Sequence, residues 1–107
     1  MNRSQLVHVV VFSLKPGIGR DDPRARAAAA ITAGHPHAIP QIQSWVCGWD
    51  ASGRSDAADF LVVSGFDSLG DYGAFQAHPD HERGKVAWRQ VATWTVIDVN
   101  DPLDAQP

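Results

Sequence analysis

Two histidines three positions apart occur in the run His78-Pro79-Asp80-His81. Residues at this spacing share one face of a helix, so both imidazoles can reach the same space. Histidine is the usual proton acceptor near neutral pH, because its unperturbed pKa is about 6.5. The run therefore predicts a catalytic pair, His81 and His78. The alternative is structural: His78 interacts with the last carbonyls of a helix, and His81 lies on the surface of the next turn.

Three further histidines lie elsewhere in the chain. His8 is in the middle of a valine-rich run, where an imidazole is costly unless its nitrogens are hydrogen-bonded or line a wet cavity. It is therefore a third catalytic candidate, with a hydrogen-bonded core histidine as the alternative. His35 and His37 flank Pro36 in a predicted connection, and we expect both to be exposed loop residues.

Other kinds of site have little support in the sequence. His8, His78 and His81 could in principle chelate a metal ion, but there is no HExxH pattern or cysteine pair, so we expect no metal and no cofactor. The run Gly17-Ile18-Gly19 lacks the spacing of a phosphate-binding loop. Cys47 is the sole cysteine, which excludes an internal disulfide and fits a reducing cytoplasm.

Charge and hydropathy exclude two classes of partner. Nine basic and 12 acidic residues give a formal charge of −3, which is not the basic footprint of a nucleic-acid-binding protein. The apolar run from Leu6 to Leu14 is too short to span a bilayer, and it lacks a cleavage site for a targeting segment. We therefore expect a cytoplasmic protein that contacts neither nucleic acid nor a membrane.

Periodicity and turn residues indicate a single domain over residues 1–107, with a core of about 6–99 and a polar tail, 100–107. Strands are predicted at 6–14, 41–49, 59–66 and 91–99. The first helix is predicted to begin at Asp21-Asp22-Pro23 and to be ended or distorted at Gly34-His35-Pro36. A second helix follows Ser68, and a third runs from 80 to about 90. The order βαββαβ is that of a ferredoxin-like α+β sandwich, a four-stranded antiparallel sheet with helices on one face.

The strands are apolar on both faces, although helices can cover only one face of the sheet. Neither side of the first strand is polar, since one carries His8, Val10 and Phe12 and the other carries Val7, Val9 and Val11. A monomer would leave roughly several hundred Å² of contiguous apolar surface in water, which soluble monomers seldom do. We therefore expect a homodimer in which the uncovered sheet faces meet and enclose an apolar chamber with an imidazole at its wall.

Several segments together resemble one known family. They are the His-containing strand and turn, 7–17; the run 39–42 leading to Trp45 and Gly48; the strand and turn, 59–69; the aromatic helix with its HPxH ending, 72–81; and Val96-Ile97-Asp98. This pattern, which covers residues 6–99, is similar to that of the stress-responsive dimeric α/β-barrel (Dabb) family. The resemblance implies two protomers that pack their sheets into a shared barrel, each with an interior cavity.

Within that family the sequence is distantly similar to olivetolic acid cyclase, which closes a linear polyketide by intramolecular aldol condensation. The resemblance implies that His81 is the base, because it matches the second histidine of the HPxH element, and that His8 matches a first-strand histidine. Two polar groups of that cyclase have no match here, because its assisting tyrosine falls on Phe75 and its strand-three histidine falls near Phe60. Phe75 cannot donate a hydrogen bond to an enolate oxygen, so Tyr72, one helical turn earlier, is the candidate replacement.

These observations lead us to expect a small cofactor-independent cyclase, lyase or isomerase that acts on an apolar, carbonyl-containing molecule such as a polyketide intermediate. His81 would remove a proton next to a carbonyl, while His8 or His78 would orient the base or hydrogen-bond to the substrate. The expected substrate-binding residues are Tyr72, Phe75, Phe60, Phe12, Val10 and Trp49. Two alternatives stay open: a non-catalytic stress-responsive or ligand-binding dimer, and a cofactor-free monooxygenase-like enzyme.

Overall fold

The computed structural model describes residues 6–101 and Leu103, and within them it has four strands and three helices. The elements in chain order are β1 (Leu6–Leu14), α1 (Pro23–Ala38), β2 (Ser44–Trp49), β3 (Phe60–Phe66), α2 (Leu69–Ala77), α3 (Pro79–Arg89) and β4 (Ala92–Asn100). The strands form one antiparallel sheet in the order β2-β3-β1-β4. This topology, with its second helical segment divided into α2 and α3, confirms the predicted ferredoxin-like α+β fold.

Strand β1 occupies an inner position of the sheet, since it pairs with β3 on one side and with β4 on the other. Its valine-rich sequence suits a strand with neighbours on both edges. In this register His8 lies opposite Ser64 on β3 and opposite Asp98 on β4. Strands β2 and β3 form the predicted antiparallel hairpin, in which Trp49 pairs with Phe60. The sheet therefore brings His8 beside a carboxylate 90 residues away in the chain.

Side chains cap the beginning of each helix. The carboxylate of Asp22 accepts a hydrogen bond from the Arg24 backbone, which confirms the predicted start of α1. Ser68 caps α2 in the same way. His78 ends α2 and begins α3, because its Nδ1 accepts the backbone N–H of Asp80 at 3.1 Å. The break predicted at Pro79 is therefore a capped junction between two short helices.

Of the two outcomes predicted for Gly34-His35-Pro36, an end or a distortion of the helix, the end is wrong, because α1 continues to Ala38. Proline has a helical φ angle but no N–H, so Pro36 removes only one hydrogen bond from the last turn. The turn still closes, since the N–H of Ile39 donates to the His35 carbonyl at 2.9 Å. Both side chains are buried, at 3% exposed for His35 and 0% for Ile39. Burial of these two side chains offsets the lost bond.

The even-numbered residues of β1 from Leu6 to Phe12 face the helices. They are buried, whereas the odd-numbered residues between them are only partly buried. Two apolar clusters fill this side of the sheet. One joins α1 and α3 around Phe12 and Trp88, and the other lies around Phe66 and Phe75 near α2.

The opposite face of the sheet is uncovered in the single chain. Val46 on β2 keeps 64% of its surface exposed, and Ile97 on β4 keeps 60%. The expectation that an imidazole-bearing chamber forms between two such faces is wrong. His8 lies on the helix side of the sheet, and the histidine-lined cavity lies within one chain, between its sheet and its helices.

Among the described residues, no helix combines the length and the apolar character needed to cross a membrane. Strand β4 extends through Asn100, next to the predicted boundary of about 99 between core and tail. Most of the predicted polar tail, namely positions 102 and 104–107, lies outside the described residues.

Candidate active site

A cavity of about 400 Å³ lies between the sheet and the helices. This volume suits a small organic ligand. Its polar lining residues are His8, Thr32, His35, Tyr72, Gln76, His81 and Lys85. Its apolar lining residues include Val10, Phe12, Trp45, Val62, Phe75, Trp88, Trp94 and Val96. The cavity is therefore a mainly apolar space with three imidazoles at its wall.

His81 is held by the junction between α2 and α3. Its Nδ1 is 3.3 Å from the backbone oxygen of Gln76, and the ring of Phe75 packs against it with a centroid distance of 4.2 Å. Because a carbonyl oxygen only accepts, Nδ1 carries the ring proton and Nε2 keeps its lone pair. Burial lowers the pKa of His81 from 6.5 to about 4. His81 is thus a neutral imidazole, able to accept a proton, at the cavity wall.

His35 reaches the same cavity from α1. Its Nδ1 donates to Oδ2 of Asp80 at 2.6 Å, and its ring lies 6.0 Å from that of His81. Burial lowers the pKa of His35, although the carboxylate beside it acts in the opposite direction. Hydrogen bonds from His35 and Arg83 lower the pKa of Asp80. This buried pair fixes the wall of the cavity next to His81.

His8 lies at the part of the cavity formed by β1 and β4. Its Nδ1 is hydrogen-bonded to Oδ1 of Asp98, and the hydroxyl of Tyr72 donates to Oδ2 of the same carboxylate at 2.8 Å. Burial, together with the negative Asp98, raises the pKa of Tyr72 to about 12, so this hydroxyl stays protonated. Tyr72, His8 and Asp98 form one hydrogen-bonded unit.

Aromatic rings form the apolar part of the cavity wall. Phe12 and Trp88 stack with a centroid distance of 4.1 Å, and Trp94 packs against Phe12 at 5.5 Å. The indole N–H of Trp88 donates to the hydroxyl of Thr32 at 2.7 Å, which fixes the orientation of the ring. A ligand in this cavity therefore meets flat apolar surfaces of defined orientation.

Six of the nine sequence-predicted site residues line the cavity: His8, Val10, Phe12, Tyr72, Phe75 and His81. They come from β1, α2 and α3, and the fold brings them together on the helix side of the sheet. The other three, His78, Phe60 and Trp49, do not line it.

Each of these three side chains makes contacts outside the cavity. The His78 side chain accepts the Asp80 backbone N–H at the start of α3, which is a structural role, although not the predicted contact with the last carbonyls of the preceding helix. Phe60 is buried in the apolar cluster with Phe12 and Trp88. Trp49 packs on Phe60 at 4.9 Å and lies under the guanidinium of Arg20 at 5.0 Å.

Sequence reasoning missed several lining residues, among them Lys85, and two members of the hydrogen-bond network, His35 and Asp98. His35, predicted as an exposed loop residue, is 3% exposed and lies in α1, whereas His37 is exposed as predicted but lies in the same helix. The spacing of the buried α1 residues Ala25, Ala28 and Thr32 continues to His35, a signal hidden by the assumed end of the helix. Asp98 shares its side of β4 with Trp94 and Val96, and this alternation could have identified it.

Metal binding has no ready donor set in this arrangement. Within residues 6–101 and Leu103, no group of three or more His, Cys, Asp or Glu side chains is placed to hold a metal ion. The Nδ1 atoms of His8, His35 and His81 bind Asp98, Asp80 and a backbone carbonyl instead.

The stress-responsive A/B barrel domain family matches residues 6–101 of the chain. The chain belongs to this family. Membership confirms the Dabb resemblance predicted from the sequence. An uncharacterized protein of Streptomyces coelicolor is 35% identical to this Dabb chain over 91 residues, which span 85% of this chain and 94% of that protein.

Solved structures share the Dabb fold at low identity. A dimeric protein of unknown function from Bacteroides fragilis has a TM-score of 0.78 at 17% identity, covering 89% of this chain and 94% of that one. The hydroxynitrile lyase of Passiflora edulis has a TM-score of 0.69 at 16% identity, covering 95% of this chain and 100% of that one. SnoaB, a cofactor-independent oxygenase of Streptomyces nogalater, has a TM-score of 0.69 at 12% identity, covering 95% of this chain and 97% of that one. At these identities the likeness shows a common fold.

Proposed function

We propose that this Dabb protein is a small cofactor-independent enzyme, of the cyclase, lyase or isomerase kind, that removes a proton next to the carbonyl of an apolar small molecule. The observation that carries the proposal is the neutral imidazole of His81 at the wall of a cavity of about 400 Å³. The lyase and the oxygenase of the same fold support the idea that this architecture can serve enzymes.

The chemistry follows from the tautomer of His81. Nδ1 is occupied by the Gln76 carbonyl, so Nε2 is the nitrogen that accepts the substrate proton. The C–H bond breaks, its electrons pass to the carbonyl oxygen as an enolate, and an N–H bond forms on the ring. General base catalysis of this kind contributes about 10²–10⁴ in rate, and positioning in the cavity supplies more.

The enolate oxygen needs a positive group or a hydrogen-bond donor. Phe75 has none, and Tyr72, the candidate replacement, already donates its hydroxyl proton to Asp98. Lys85 lines the cavity, and its ammonium lies 2.9 Å from the Glu82 carboxylate. We assign the stabilising charge to Lys85.

The walls indicate the substrate class. The stacked pair Phe12 and Trp88, together with Val10 and Val96, offers apolar contact over most of the cavity. An apolar molecule with one or more carbonyl groups, such as a polyketide intermediate, fits this combination of apolar walls and an imidazole base.

We also propose that the protein is a homodimer. Val46, Leu61 and Ile97 are exposed on the uncovered face of the sheet, at 64%, 38% and 60% of their surfaces. A second copy of the same face would cover them symmetrically. The dimeric protein from Bacteroides fragilis, which has the same fold, supports this proposal.

Ligand binding without chemistry is the second candidate function, and one observation favours it. The ring of Phe75 lies 4.2 Å from that of His81, at the position where the cyclase that the sequence resembles has an assisting tyrosine. Phe75 has no hydroxyl to assist at a carbonyl, so this position supports binding more than catalysis.

Exchange of α-protons separates the two functions. Wild-type protein is incubated in D₂O at neutral pH with 2-octanone or acetophenone, and deuterium uptake next to the carbonyl is followed by mass spectrometry. His81→Asn keeps a donor for the Gln76 carbonyl but removes the base, and His37→Asn removes an exposed histidine as the control. We expect wild type and the control to exchange at the same rate, and His81→Asn to be slower by about 10²–10⁴. No exchange above buffer in any of the three proteins would favour the binding function, whereas equal rates above buffer would show that another group removes the proton.

A further inference from the structure

Asp98 connects two side chains of the cavity wall, His8 and Tyr72. Its Oδ1 is hydrogen-bonded to Nδ1 of His8, and its Oδ2 accepts the Tyr72 hydroxyl at 2.8 Å. The His8 side chain is 4% exposed, and that of Asp98 is 34% exposed. A partly exposed carboxylate thus holds a buried imidazole by one oxygen and a tyrosine by the other.

This arrangement determines the tautomer of His8. An ionised carboxylate only accepts, so the ring proton of His8 lies on Nδ1 and its Nε2 keeps a lone pair. Tyr72 has its oxygen 3.3 Å from the same Nδ1, but its single proton goes to Asp98. Within residues 6–101, Nε2 of His8 has no hydrogen-bond partner. Tyr72 therefore holds the Asp98 carboxylate in place and does not donate a hydrogen bond to the His8 ring.

His8 and His81 both pack against Phe75 and line the same cavity. The ring of Phe75 is 5.8 Å from that of His8 and 4.2 Å from that of His81. The two imidazoles differ in what supports them once they are charged. A proton taken by His8 creates a cation beside the Asp98 carboxylate, whereas His81 has only a backbone carbonyl at its Nδ1.

We propose that His8 is a second catalytic base of the cavity, with Asp98 as its positioning residue and Tyr72 as the brace of that carboxylate. In the step, an acidic C–H or O–H bond of the bound carbonyl compound breaks and leaves its electrons on the substrate. The N–H bond forms at Nε2 of His8, and the proton returns to the product later. The proposal rests on the proposed function, because it places this base on the same substrate.

Three variants test the hydrogen-bond directions. In Asp98→Asn, the Tyr72 hydroxyl still needs the remaining oxygen, so the new amide NH₂ faces Nδ1 of His8 and moves the ring proton to Nε2. Adding Tyr72→Phe frees the amide, which can turn its oxygen to His8 and restore the proton on Nδ1. Tyr72→Phe alone leaves the contact between His8 and Asp98. Asp56→Asn, in an exposed pair with Arg54, is the control.

The His8 tautomer is measured by ¹⁵N NMR of labelled protein, with the backbone amide spectrum as the check of folding, and ketone α-exchange is measured on the same samples. We expect the Nδ1–H form in wild type, the Nε2–H form in Asp98→Asn, and the Nδ1–H form again in the double variant. With His81→Asn added to each variant, His8 is the base that remains, and the residual exchange rate should fall at least about tenfold with Asp98→Asn and recover in part in the double variant, because the wrong tautomer removes the base.

Two results would overturn the proposal. One is an Nε2–H form of His8 in the wild type. The other is a residual exchange rate in the His81→Asn background that is at the level of buffer, or that is the same with Asp98→Asn as with Asp56→Asn. Failure of the proposed function has a different signature, since the wild type would then exchange neither ketone above buffer, whichever tautomer His8 has.

Discussion

The backbone of Gly84 on α3 lies directly against the imidazole of His35 on α1. A Cβ at position 84 would be 2.8 Å from Nε2 and 3.1 Å from Cε1 of that ring. The ring has little freedom to move away, because its Nδ1 is bonded to Asp80 and its edge packs on Trp45 at 5.7 Å. The close approach of the two helices beside the cavity therefore needs glycine at this position.

Replacing Gly84 by alanine should destabilise the protein. Overpacking of this kind costs about 1–3 kcal/mol, and the better helix propensity of alanine, worth about 1 kcal/mol, offsets only part of it. The measurement is urea unfolding followed by circular dichroism. Gly73→Ala is the matched control on α2, since a Cβ there meets nothing within 4 Å. It should be neutral or stabilising, and equal stability of the two variants would contradict the packing at position 84.

The neutral state of His81 should appear in the pH dependence of stability. Its pKa is about 4 when folded, against an ordinary value of 6.5. Between these values the unfolded chain binds a proton that the folded ring does not, so the free energy of unfolding should fall as the pH drops from 6.5 toward 4. His35, whose pKa is also lowered by burial, acts in the same direction.

The comparison is made by urea unfolding at neutral pH and at a pH of about 5, above the range in which most carboxylates titrate. His81→Asn should lose less stability than wild type over this interval, while His37→Asn should lose as much as wild type does. An equal loss in wild type and His81→Asn would mean that the buried ring titrates normally.

Much of the fold could be predicted from the sequence because its signals are local. The cap at Asp22 and the break at Pro79 depend on residues that are close together in the chain. The side of β1 that meets the helices could not be predicted, because both of its alternating sets are apolar. The position of the cavity depends on which side of β1 meets the helices, and tertiary packing determines that side.

The polar contacts of the site depend on longer-range geometry. His8 and Asp98 are 90 positions apart, and only the register of β1 with β4 makes them neighbours. Because Pro36 follows it, His35 is predicted to lie in a loop. In the structure it lies in α1, where its ring is bonded to Asp80 and packs against Gly84. The HPxH motif predicted His81 as a site residue. The hydrogen-bond partners of His8 and His35 could not be predicted, because tertiary packing brings them together.

Filling the cavity should weaken binding of an apolar ketone. Trp45, Trp88 and Trp94 line the cavity, so 2-octanone should quench tryptophan fluorescence of the wild type in a saturable way. Val96→Phe adds volume at the lining and should raise the dissociation constant by about tenfold, or about 1.4 kcal/mol. Val86→Phe, on an exposed part of α3 that does not line the cavity, should bind as the wild type does. Equal affinities in both variants would place the ligand outside this cavity.

A charge on the uncovered sheet face should dissociate the proposed dimer. Ile97 is 60% exposed in the single chain, and Ile97→Lys would bury an unpaired ammonium in the interface. We expect the dimer dissociation constant, measured by sedimentation equilibrium, to rise by at least about tenfold. Val86→Lys introduces the same charge on a helix and should leave the constant unchanged. A wild type that sediments as a monomer would contradict the dimer.

The most direct test of His81 as the base is the ratio of ketone α-exchange rates in wild type and His81→Asn, measured side by side at neutral pH on folded samples. An imidazole that accepts the substrate proton predicts a ratio of about 10² or more, with His37→Asn close to wild type. A ratio near one, with exchange in all three proteins well above buffer, would show that another group removes the proton.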